Sequence, residues 1–194
     1  CNAIKRVKQD DHLLTKNTVY VNDKKNNTEL VNNLIYQRPN GTLLGFPLRL
    51  HLYNLARPNI DSILKAKYYN PENPRIGQKK LLSLKQYHAL VQAKKNINTW
   101  WKTTGEAPVI VKEEKAEKSK KLLRQYYFSK GWFNAETSYT INKNDNQRAS
   151  VEYFVKTGTP YILDSITSKI STPSIDALYE ETLKQGSLIK TDLI

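Results

Sequence analysis

The run from Glu113 to Val155 constrains the fold more than any other part of this chain. It opens with Glu113, Glu114 and Glu117 and reaches Lys130 some four turns later, the polarity that a helix dipole favours. Leu122, Leu123, Tyr126 and Tyr127 recur at helical spacing as an apolar face. Gly131 stands just past the helix, where a left-handed residue closes it, and Trp132 and Phe133 are expected to anchor the turn that follows. Ala135, Thr137, Tyr139 and Ile141 then alternate with Glu136, Ser138 and Thr140, the period of a half-buried strand. "NKNDN" turns the chain, and Ala149, Val151, Tyr153 and Val155 share one face of a second strand.

The remaining segments extend this unit. The polar leader Asn2 to Asp11 reads as a tether, and Thr18 to Asn22 as a strand ended by Asp23-Lys24-Lys25. A helix is expected next, with Asn27 or Thr28 as N-cap, an apolar face of Leu30, Val31, Leu34 and Ile35, and "RPNG" as its stop. The stretch from 42 to 111 is too long for a plain connection and is read as a partly helical insertion. Within it "YYNPENPRIG" is loop, the region through Trp101 is helical with Leu84, Tyr87, Leu90, Val91 and Trp101 on one face, and Val109 to Val111 is extended. After "TGTP" a strand is expected over Tyr161 to Ile170. A helix follows, capped by Thr172 with Pro173 at its first position, carrying Ile175, Leu178, Tyr179 and Leu183 on one side. The order is β-α-(insert)-α-β-β and then β-α, a repeat of elements rather than letters. The expected divisions are a tether over 1–15, a first domain over 16–158 with its insertion at 42–111, and an incomplete second domain over 159–194.

Several words in the chain resemble landmarks of one family: "LGF" at Leu44 to Phe46, "LYNL" at Leu52 to Leu55, "GEAPVI" at Gly105 to Ile110, "KGWFNA" at Lys130 to Ala135 and "GTPY" at Gly158 to Tyr161. The order of elements and these words resemble the polypeptide-transport-associated (POTRA) region of TamA-like outer-membrane proteins of Bacteroidetes, in the outer-membrane assembly (surface antigen D15) superfamily. Ala107 stands where the family has Pro, and Trp132 where Tyr is usual. The resemblance implies an α+β, POTRA-like β-α-α-β-β module and the start of a second. It also implies a periplasmic location and a β-barrel elsewhere in the same protein. By the same resemblance, the strand Glu136, Thr137, Ser138, Tyr139, Thr140 and Ile141 is an exposed edge. Unfolded outer-membrane protein clients or accessory assembly subunits would pair with it.

Composition bounds the alternatives. The single cysteine is Cys1 and methionine is absent, so no internal disulfide forms and no cysteine-rich zinc site is expected. A leading Cys followed by Asn2 and Ala3 fits a lipoprotein acylated at Cys1 and held by outer-membrane lipid, with a trimmed start or a free thiol as the other readings. No apolar run approaches the roughly 20 residues of a membrane-spanning helix. The net charge of +13 favours anionic partners, and Lys115, Lys118, Lys120, Lys121 and Arg124 form a basic helix surface directed at headgroups or acidic proteins. His12, His51 and His88 are scattered, and no nucleophile, metal or nucleotide motif surrounds them. No catalytic residue, metal or cofactor is therefore expected.

Strand addition to an open edge, with weak sequence preference, suits a protein with many clients. The edge could equally be blunted by its polar outward residues. A basic module that binds single-stranded nucleic acid through "KKLLRQYYFSKGWF" is an alternative, although no nucleic-acid partner is expected, because Tyr126 and Tyr127 fall on the apolar face. A generic structural lipoprotein is another.

Overall fold

The structure, a computed structural model, describes residues 2–26, 28–68, 84–162 and 169–186. Strands β1 (Leu13–Val21), β2 (Lys24–Asn26), β3 (Glu136–Asn144) and β4 (Arg148–Lys156) form one sheet in the order β2-β1-β4-β3. The helices are α1 (Glu29–Asn33), α2 (Leu48–Leu55), α3 (Ile60–Tyr68), α4 (Leu84–Thr104), α5 (Glu113–Ser129) and α6 (Pro173–Gly186). This is the α+β class the sequence implied, with β4 inside and β3 at an edge.

By packing, the chain forms two units. The first comprises Cys1–Asn17, Gln37–Lys112 and Ile141–Val151, the second Thr18–Tyr36, Glu113–Thr140 and Glu152–Ile194. In the first unit Leu13 N–H donates to the Gln147 carbonyl at 2.9 Å and Thr15 Oγ1 to that of Ala149 at 2.9 Å. The partners rise together, so β1 and β4 run in the same direction, which requires a crossover between them. The segment Val109–Val111 is extended, as Pro108 suggested: Leu14 N–H donates to Val109 and Val111 N–H to His12.

Two buried amides hold that segment. Asn40 Nδ2 donates to the Ala107 carbonyl at 2.8 Å, and its Oδ1 accepts from Val109 N–H at 3.0 Å. Gln37 repeats the pattern on Ile110 and Lys112. Side-chain amides thus satisfy backbone groups that a strand would otherwise pair. This explains the placing of Gln37 and Asn40 around Pro39.

The insertion is helical, and α2 packs on α4. Gly105 makes this possible, since a Cβ there would lie 2.4 Å from Tyr53 N and 2.6 Å from Trp101 O. The apolar face read for the long helix needs correction. Val91 is buried against Leu64, Trp101 is half-buried, and Leu90 is exposed. The side chains of Leu84 and Tyr87 and most of "YYNPENPRIG" lie outside the described residues. The leader is also not a free tether along its length. Asn2–Ile4 form a 3-10 turn, and Ala3 is buried against Leu13 and Leu50 with Ile4 and Val7 beside it. Its polar letters hid three apolar side chains at positions 3, 4 and 7.

In the second unit, β2 is an addition that the sequence reading missed. Asn22 and Asp23 take φ of 48° and 63°, the pair of left-handed residues that a type I′ turn needs, and the chain returns with Val21 opposite Lys24. The lysines of β2 look like loop by composition, yet they sit on a sheet edge, where charge is common. Helix α1 begins after Thr28 as expected but ends at Asn33, short of "RPNG". Val31 and Ile35 are buried and Leu30 is exposed. The strand expected over Tyr161 to Ile170 lies largely outside the described residues. Tyr161 itself is not in a strand, and its N–H donates to the Gly131 carbonyl at 2.9 Å. Helix α6 starts at Pro173, with Thr172 accepting from Ile175 and Asp176, and leaves Ile175 and Leu178 exposed.

Candidate strand-edge groove

Helix α5 carries two stripes. Ala116, Ser119, Leu123 and Tyr127, spaced by three and four residues, are buried. Beside them Glu117, Lys120, Lys121 and Arg124, at i, i+3, i+4 and i+7, make a polar stripe. That polar stripe and the segment from Phe133 to Thr137 line a groove of about 810 Å³. Thr137 Oγ1 donates across it to the Lys120 carbonyl at 3.2 Å. Lys120 Nζ lies 2.8 Å from Glu117 and 5.9 Å from the centroid of the Tyr139 ring.

The helix end fixes where β3 begins. Gly131 takes φ 87°, its N–H donates to Phe128, and Trp132 N–H reaches back to Tyr127. This is the double bond pattern of a Schellman cap, completed by the Tyr127–Trp132 ring contact at 5.8 Å. Phe128, Phe133 and Tyr161 continue as a half-exposed aromatic chain with centroids 4.9 and 5.2 Å apart. Under the groove, fully buried Ser119 accepts from Tyr36 N–H at 3.0 Å, donates to Lys115 O at 2.9 Å, and bonds the Tyr153 hydroxyl. Burial raises the pKa of Tyr153 above the ordinary tyrosine value; the Ser119 bond opposes this rise and Tyr139 adds to it. Burial raises Tyr127 likewise, with Tyr126 contributing.

Exposure alternates along β3 as the sequence predicted. Glu136, Ser138 and Thr140 are exposed, and Thr137, Tyr139 and Ile141 are half-buried. Edge position and alternation leave every second backbone N–H and C=O of β3 available to another strand. The five cations expected to form one surface divide. Lys120, Lys121 and Arg124 join the β3 edge in the groove. Lys118 instead lies 5.2 Å from the centroid of the Tyr36 ring, and Lys115 does not line the groove. Cys1 lies outside the described residues. Sequence reasoning missed Ser119, and it read Glu117 as a helix-dipole acid and Phe133 as a turn anchor rather than as groove lining; the spacing 117, 120, 121, 124 was the legible signal for the first of these two.

Among the described residues no group of His, Cys, Asp and Glu could hold a metal ion, and His51 stacks on Phe46 at 4.5 Å. The arrangement offers hydrogen-bonding backbone beside fixed charge.

Residues 106–158 match POTRA, the surface antigen variable number repeat. The POTRA match contains α5, β3 and β4, and with them the groove lining. No curated protein and no solved structure matches the chain. POTRA domains generally occur in outer-membrane protein insertion and translocation factors. There they are periplasmic, non-enzymatic scaffolds that bind clients or partner subunits. Among the described residues no helix is long and apolar enough to cross a membrane.

Proposed function

We propose that this chain is the periplasmic POTRA region of a TamA-like outer-membrane assembly lipoprotein, held to the membrane by acylated Cys1. It binds unfolded outer-membrane protein clients or accessory subunits by strand addition to β3. The observation that carries this reading is the edge position of β3 beside the groove formed with α5. An extended segment would satisfy the outward backbone groups of β3 and lie against Lys120, Lys121 and Arg124. The residues from 159 onward would begin a second module, and a β-barrel of the same protein would follow. The nucleic-acid alternative loses support because Tyr127 is buried and Tyr126 packs edge-on against it at 5.2 Å.

Photo-crosslinkers at exposed Glu136 and Thr140 test the proposal in cells. They should trap client or partner chains, and the same group at Lys25, on the opposite edge strand, should not. Equal labelling at Lys25 would remove the role of β3.

A further inference from the structure

The groove carries a selection rule that edge pairing alone does not supply. Four side chains of α5 line it, and Glu117 neutralises Lys120 at 2.8 Å. Lys121 and Arg124 have no carboxylate within ion-pair distance among the described residues, and both are exposed. The wall that faces an added strand therefore presents two free cations. Glu136 is the one carboxylate of β3 in the lining, and it belongs to the strand's exposed alternation. The helix-facing alternation of β3 is set by Thr137, which reaches the Lys120 carbonyl, and by Tyr139 under the Lys120 amine.

We infer that the groove selects extended polypeptide segments whose acidic residues recur at every second position, so that the carboxylates of one strand face meet Lys121 and Arg124. The inference rests on the strand-addition reading and adds to it the chemistry of the partner. A strand added to β3 continues its pleat, so residues i and i+2 of the ligand fall on the α5 side and i+1 and i+3 on the other. Acidic residues at i and i+2 place both charges against the cations. Acidic residues in a contiguous block divide between the two faces. Basic residues at i and i+2 meet Lys121 and Arg124 with like charge. The groove is open to solvent, so salt weakens the preference.

Three fluorescein-labelled peptides of one length test this on the full chain: Asp alternating with Thr, the same composition with the Asp residues in one block, and Lys alternating with Thr. Fluorescence anisotropy gives their affinities at low and at physiological salt. The alternating Asp peptide should bind about tenfold or more tightly than either other peptide, equal to ~1.4 kcal/mol. The double variant Lys121→Glu, Arg124→Glu, at two exposed positions, should reverse the order of the Asp and Lys alternating peptides. Equal affinity for all three peptides, or an unchanged order in the variant, overturns the selection rule and leaves strand addition standing. Binding of none of them overturns strand addition, and the rule with it.

Discussion

Replacing Ser119 with alanine should destabilise the second unit far beyond what one small surface-like residue suggests. Its side chain is fully buried on α5, and its hydroxyl serves three groups: Tyr36 N–H at 3.0 Å, the Lys115 carbonyl at 2.9 Å and the Tyr153 hydroxyl. Lys115 O keeps its place in the helix ladder, so that loss costs little. Tyr36 N–H, in a part-buried bond, and the hydroxyl of buried Tyr153 each lose a partner. Each buried unsatisfied group costs about 1–3 kcal/mol, and the alanine methyl fills nearly the same volume, so the two together cost about 2–6 kcal/mol. That is a large share of the ~5–15 kcal/mol that holds a typical domain together. Urea unfolding followed by tryptophan fluorescence measures it. Tyr153→Phe in the alanine background should cost less than in the parent, with a coupling of about 1 kcal/mol. A loss below about 0.5 kcal/mol for Ser119→Ala, or additive behaviour of the pair, would refute the reasoning.

Three further outcomes are expected. Gly105→Ala drives a Cβ to 2.4 Å from Tyr53 N, so the α2–α4 packing should weaken by about 1–3 kcal/mol; an unchanged thermal melt would contradict that close approach. Burial raises the native pKa of Tyr153 and Tyr127, whereas the unfolded residues titrate near about 10. Their contribution is complete below that pH and is lost as pH rises toward the native values, because the unfolded chain gives up protons first. The contribution of these two tyrosines should therefore be flat up to pH about 10 and fall above it, and Tyr153→Phe should flatten the fall in that alkaline range. Cys1→Ser should move the protein from the membrane fraction to the soluble one if acylation at Cys1 is its anchor, and an unchanged distribution would remove the tether.

Elements with a strong single period were legible from the letters. The helix over Glu113–Ser129, its Gly131 end and the alternation of β3 and β4 need only local rules, whereas the edge position of β3 was read from the family resemblance and not from the hairpin. Features that depend on partners far away in sequence were not. The Asn40 and Gln37 amides look like loop residues until residues 107–112 lie beside them. The leader looked like a tether because Ala3, Ile4 and Val7 have no period of their own, only a place against Leu13 and Leu50. Half of the groove was visible as a strand edge. The other half lies at i, i+3, i+4 and i+7 of α5, where Lys120, Lys121 and Arg124 were legible as a basic surface but not as the wall of a groove shared with β3. Ser119 carried no signal, since a mid-helix serine reads as surface until Tyr36 and Tyr153 close over it.

Amide hydrogen exchange across β3 tests the central claim most directly. An extended peptide is added to the full chain, and exchange is followed residue by residue from Glu136 to Thr140. Strand addition predicts that every second amide, the outward-facing set, slows by about tenfold or more at saturation, while the set already bonded to β4 changes little. Bound peptide with no slowing in β3, or with protection confined to other elements, would contradict it.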